Sequence, residues 1–134
     1  MVKQKKRIMI EFILYVKDQG ASESFYSKIL DKKPVLSVPG MTEFLLADHV
    51  KLGLMPEKGI AEIIHPSLPH PETGNGIPRC ELYLHTENVR DKYEKIKSYG
   101  IKIVDELKPR DWGDDVFYFS DSDGNVIAFA GKMQ

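Results

Sequence analysis

Two glutamates hold matching places in two similar stretches: Glu11 in EFILYVKD and Glu81 in ELYLHTEN, which align at one constant offset. Each carboxylate sits in or beside an apolar run, where burial is costly unless the charge is paired or faces a wet cleft. Such an acid pair can act as a general base, or hold a cationic or hydroxyl-bearing ligand. It can equally be neutralised locally, by Arg7 or Arg79. Alternation along a strand puts Ile13 and Tyr15 on the face of Glu11, and Tyr83 and His85 on the face of Glu81. Two tyrosines beside two acids would give a pocket flat apolar walls and a few polar handles, although Tyr15 and Tyr83 could also fill ordinary core. His85 is a candidate acid or base, or a surface histidine at a strand end. Trp112, the only tryptophan, lies in the loop KPRDWGDD, where it can stack on a planar ligand or plug the loop.

Other chemistry-bearing residues point to structure. His65 and His70 fall in a Pro-rich stretch that fixes no metal geometry, and read as exposed loop histidines. Cys80 is the only cysteine, so it forms neither an internal disulfide nor a CxxC metal pair, and reads as a small packed residue. The segment DSDGNVIAFAG lacks the third acid and the distant glutamate of a calcium loop, and reads as a hairpin turn feeding an apolar strand.

The elements that must position these residues occur twice. IMIEFILYV is β-rich; the segment KDQGASESFYSKILDKKP follows, with Ser22 as a helix cap, an apolar stripe of Phe25, Tyr26, Ile29 and Leu30, and a stop at Pro34. VLSV, TEFLLAD and VKLGLM then read as three strands. From Arg79 the order returns: strand CELYLHT; a helix capped by Asn88, with Val89, Tyr93 and Ile96 inward and Gly100 as its stop; strand IKIVDEL; and a closing hairpin. Repetition makes the fold α+β, with two β-α-β-β-β modules. The predicted organisation is a basic tail over 1–7, a first module over 8–58, a Pro/Gly-rich linker over 59–78 and a second module over 79–134, both modules forming one unit. A sheet with a helix on one face leaves the other seeking a partner, and two such faces together would form a curved cleft.

Bulk composition excludes several classes of function. A formal net charge of -1 provides no global field for nucleic acid or an anionic membrane, and the basic opening KQKKR reads as a solvated tail. No apolar run approaches the ~20 residues that span a bilayer. The start shows no signal-peptide pattern, so cytoplasmic residence is expected.

The paired modules resemble the vicinal oxygen chelate superfamily, which includes glyoxalase I, extradiol dioxygenases, and the fosfomycin and bleomycin resistance proteins. LYVKDQGASESFYSKIL, CELYLHTENVRDKYEKIKSYGIKIV and WGDDVFYFSDSDGNVIAF carry the likeness. Ser122 stands where the closing turn of that superfamily commonly has proline. This scaffold hosts unrelated chemistries, so the resemblance specifies fold more than activity. Its metal-dependent members place four His or Glu ligands on the cleft strands, two per module, and the ion holds two neighbouring substrate oxygens.

Carried over by motif, the ligand-equivalent positions are Glu11, Gly53, Glu81 and Ala128. Two of them offer no ligand atom. The resemblance therefore implies a degenerate metal site and no required cofactor, with weak Mg²⁺ or Mn²⁺ at Glu11 and Glu81 left open. It also implies a homodimer. The first expectation is a metal-independent protein binding an aromatic or cationic small molecule between Tyr15, Tyr83 and Trp112, with Glu11 and Glu81 orienting it. The alternatives are a lyase, isomerase or other enzyme using a weak metal or a glutamate base, and a dimerisation or regulatory module without a ligand.

Overall fold

The computed structural model describes residues 8–132, which fall into two compact units meeting at Thr73 and Gly74. The basic tail over 1–7 lies outside the described residues. The expected α+β pattern of two β-α-β-β-β modules is present, with one four-stranded mixed sheet in each unit.

In the first unit the chain runs through β1 (Ile10–Val16), α1 (Gln19–Leu30), β2 (Leu36–Val38), β3 (Met41–Ala47), β4 (Val50–Pro56) and α2 (Glu57–Ile64). The sheet order is β1-β4-β3-β2, with β1 parallel to β4 and the other pairs antiparallel. Asp18 caps α1, its carboxylate accepting from the Ala21 N–H at 3.0 Å. Ser22, the cap expected from the sequence, instead lies inside the helix on its buried face. Asp18 is the residue left with extended backbone beside the first free N–H groups, which is what a cap requires.

Helix α1 packs on β3 and β4, burying its Tyr26 and Ile29 while Phe44, Leu52 and Leu54 are buried on the sheet. Each such side chain contributes about 1.5–3 kcal/mol by leaving water. A polar clasp fixes the helix start. Gln19 Nε2 donates to Val38 O at 2.8 Å and to Thr42 Oγ1 at 2.9 Å, and Thr42 donates to Glu23 Oε1 at 2.8 Å. Helix α2 occupies part of the stretch read as linker. Its Ile60, Ala61 and Ile64 share one face, Glu57 suits the positive N-terminal end, and Pro66 follows two residues beyond the last turn. The flanking Pro and Gly masked this short helical signal, and the first unit extends to Thr73 rather than ending at residue 58.

The second unit holds β5 (Glu81–His85), α3 (Val89–Ser98), β6 (Ile103–Pro109), β7 (Asp115–Ser120) and β8 (Val126–Gly131), in sheet order β5-β8-β7-β6. Asn88 caps α3 through the Asp91 N–H at 3.1 Å, and Gly100 takes a positive φ of 78° after it, as read from the sequence. Phe117, Phe119 and Phe129 stack with ring centroids 5.8–6.0 Å apart, and Tyr93 of α3 meets Phe117 at 4.9 Å. These rings form the helix-side core.

The closing hairpin turns on Asp121, whose Oδ1 accepts from the N–H groups of Asp123 and Asn125, both at 2.9 Å. Gly124 has φ of 90°, and a Cβ there would lie 2.9 Å from Gly76 backbone. The acids before the last strand therefore serve chain reversal.

Candidate functional site

In the first unit, the side of the sheet away from α1 carries the chemistry. The register sets Glu11 opposite Lys51, Ile13 opposite Gly53, and Glu43 opposite Gly53. Glu11, Ile13, Tyr15, Glu43, Lys51, Gly53 and Met55 consequently share one face. The absence of a side chain at Gly53 makes room for Glu11. A Cβ there would meet Glu11 Oε2 at 2.5 Å, Ile13 Cγ1 at 3.1 Å and Met41 Sδ at 3.3 Å.

That Oε2 atom is closed off from solvent and has no hydrogen-bond donor among the described residues. The group beside the Glu11 carboxyl is the carboxyl of Glu43, an acceptor like itself, so the two can bond only if one of them carries a proton. Burial pushes Glu11 above its ordinary range, and the neighbouring Glu43 adds to the rise. Glu43 moves the other way, held down first by the hydrogen bond from Glu11 and then by Lys51, whose Nζ lies 3.2 Å from Glu43 Oε1. The two shifts favour the proton on Glu11 and the negative charge on Glu43. Tyr15, further along β1, is 43% exposed.

In the second unit the open side carries Glu81, Tyr83 and His85 on β5, Ala128 and Ala130 on β8, and Val116 and Tyr118 on β7. Val116, Ala128 and Ala130 form a small buried cluster against which Tyr83 and Tyr118 pack. Above it runs a chain of hydrogen bonds. Trp112 Nε1 donates to Tyr83 Oη at 2.8 Å, and Tyr83 donates to Asp114 Oδ2 at 2.6 Å. Lys132 Nζ closes the far side at 3.4 Å from Asp114 Oδ1. The Tyr83 bond and Lys132 hold Asp114 below its ordinary range. Burial, and then Asp114, raise Tyr83. Tyr118 is raised by burial and by the charge of Glu81.

The loop bearing Trp112 is pinned by Arg110. Its Nη1 donates to Asp105 Oδ2 at 2.6 Å, its Nη2 to Glu106 O and Val116 O at 2.8 and 2.7 Å, and its Nε to Val116 O at 3.2 Å. The guanidinium also lies over Tyr118, 5.0 Å from the ring centroid.

The structure thus brings Glu11 to Gly53, and it brings Tyr83 onto the cluster of Ala128, with Trp112 bonded to the Tyr83 hydroxyl and the Tyr83 and His85 rings meeting edge-on at 5.4 Å. Glu81 is exposed at the head of β5 and makes no ion pair among the described residues. Four participants were not singled out from the sequence: Glu43, Tyr118, Asp114 and Arg110. For Glu43 and Tyr118 the signal existed. Counting in twos from Gly53 and Ala128 across the adjoining hairpins reaches both. Asp114 and Arg110 lie at or beside a loop, where no period applies.

The family model of the glyoxalase-like domain matches residues 9–134. The chain belongs to the glyoxalase-like family. That places it in the vicinal oxygen chelate superfamily, as the repeated modules implied. A search of curated proteins found no match. Among solved structures, a glyoxalase/bleomycin resistance protein/dioxygenase from Nocardioides is similar at a TM-score of 0.77 and 18% identity, with 99% of this chain and 88% of that one covered. A glyoxalase-related enzyme from Fulvimarina pelagi gives 0.75 and 16%, over 96% and 89%. A lactoylglutathione lyase from Agrobacterium tumefaciens gives 0.71 and 19%, over 96% and 95%. At these identities the likeness concerns fold.

The metal of the glyoxalase-like family can be tested against the donor set. Gly53 offers no side-chain donor, and the Glu11 carboxyl fills the space beside it. Ala128 offers none either and is fully buried beneath tyrosines. Glu11 faces a second carboxyl that Lys51 already neutralises. Among the described residues no three His, Cys, Asp or Glu side chains gather as a metal site. The residues present do not fit a tightly held transition metal.

Proposed function

We propose that this glyoxalase-like protein binds a small planar molecule and does so without a tightly held metal. One observation carries the reading. Trp112 is 59% exposed, yet its indole N–H is fastened to Tyr83 Oη, so a flat apolar surface is held in place toward solvent on the face that also carries Glu81 and Tyr118. An exposed tryptophan fixed in this way is pre-organised for stacking, because its ordering cost is already met in the free protein. Tyr83, His85 and Glu81 border that surface, and Tyr15, Glu11 and Glu43 offer a second polar and aromatic face in the first module. The test is a panel of planar compounds followed by the fluorescence of the single tryptophan and by melting temperature, each with and without a chelator. Saturable changes insensitive to chelator support the reading. One tightly bound Ni²⁺, Zn²⁺ or Fe²⁺ per chain in the purified protein would sink it.

A second reading rests on the Glu11–Glu43 pair. A carboxyl holding a proton beside an ionised one is a donor and acceptor set suited to acid–base catalysis, and a lyase or isomerase could use it. Turnover abolished by both Glu11→Gln and Glu43→Gln, with both variants folded cooperatively, would establish it. The reading also includes a second copy of the chain as partner, docked at β1, the apolar strand at the edge of its sheet.

A further inference from the structure

We propose that the open face of the second module selects a planar ligand that presents hydrogen-bond donors and positive charge, an aryl amidinium or aryl ammonium, against its carboxylate counterpart. This rests on the ligand-binding reading above and names the class of ligand. A tyrosine hydroxyl has one proton and two lone pairs. Tyr83 gives its proton to Asp114 Oδ2 at 2.6 Å and takes one from Trp112 Nε1 at 2.8 Å, so a single acceptor lone pair remains. The Trp112 N–H, its only donor, is committed in the same chain.

The cations of this face are committed too. Arg110 is tied to Asp105, Glu106 O and Val116 O, and Lys132 to Asp114. The acceptors left for a ligand are the carboxylate of Glu81, with no ion pair among the described residues, the Tyr83 lone pair, and the π face of Trp112, while the His85 imidazole keeps an N–H on the opposite side of Tyr83 from Glu81 along β5. All three attract a donor or a cation. Tyr118 can give or accept, and the negative charge of Glu81 makes it keep its proton. A carboxylate ligand would meet Glu81 as a like charge and Tyr83 without a proton to offer.

The sole tryptophan makes this readable, because the ¹⁵N-labelled protein has one indole N–H signal. Benzamidinium, benzyl alcohol and benzoate are titrated separately against it. Benzamidinium is expected to shift the signal saturably and to bind at least about tenfold more tightly than benzoate, as expected where burial leaves an acceptor unpaired. Glu81→Gln, a change at an exposed position, narrows that ratio. Asp114→Asn also narrows it, because an asparagine amide can donate to Tyr83 and release its proton toward the ligand. Equal or tighter binding of benzoate, with the indole signal responding, overturns the inference and leaves the binding reading standing. An unchanged benzamidinium-to-benzoate ratio in Glu81→Gln overturns it as well. If none of the three compounds moves the signal, the binding reading itself fails.

Discussion

Glu11 and Glu43 show what one missing side chain makes possible. Because Gly53 carries no Cβ, the Glu11 carboxyl can lie against the sheet beside Glu43. Gly53→Ala pushes the tip of the flexible Glu11 side chain aside, so the cost should lie at the low end of overpacking, about 1 kcal/mol. The cost should shrink in the double variant with Glu11→Ala, a coupling that urea denaturation of both singles and the double would measure. The shared proton has a pH signature. A glutamate raised in the folded state gives stability that is complete below its ordinary value of 4.5 and is lost as pH rises through the raised value. Glu43 is lowered, so its contribution runs oppositely, present above 4.5 and lost as pH falls. Glu11→Gln keeps a donor toward Glu43 without the titrating proton. Its melting temperature should exceed that of the parent near pH 7, and the difference should close as pH approaches 4.5. A constant difference from pH 4 to 8 would count against the shared proton. Glu11 could be found from the repeated EF and EL stretches, whereas Glu43 needed the register of the β3–β4 hairpin, counted in twos from Gly53.

Among the elements, the closing hairpin is held by side chains and by close backbone approach in equal measure. Asp121 is buried and accepts from two backbone N–H groups, so Asp121→Ala should cost about 1–3 kcal/mol. Gly124→Ala adds a side chain at positive φ and presses it on Gly76, for a loss of about 1 kcal/mol or more. Chemical denaturation of each variant checks both values. The order of strands and helices was legible because strand alternation, the Asn88 cap and the Gly100 stop are local signals. Helix α2 was not, since its eight residues, set between Pro56 and Pro66, give barely two turns of periodicity. The α1 cap was misplaced for a related reason. Asp18 and Ser22 are both capping residues, and only the packing of α1, which buries Ser22, decides between them.

For the whole molecule, the apolar edge strand asks for a partner. Phe12 is 61% exposed on β1, with Ile10, Ile13 and Tyr15 also exposed. Edge strands of this kind invite pairing with another chain. Phe12→Lys should shift sedimentation from dimer to monomer while changing stability by within about 0.5 kcal/mol, as exposed sites usually do. A parent protein that sediments as a monomer across the micromolar range would refute the dimer. The loop of Trp112 has a consequence of another kind. Trypsin must draw an extended arginine or lysine side chain into its specificity pocket before it can cut. The Arg110 side chain is instead folded back and only 11% exposed, although Asp111, Trp112 and Gly113 next to it are exposed. Lys108 is followed by Pro109, which removes the nearest alternative cut. Native protein should therefore resist tryptic cleavage after Arg110 until the β6–β7 end opens, and the rate at that one bond becomes a clock for local opening of the rim.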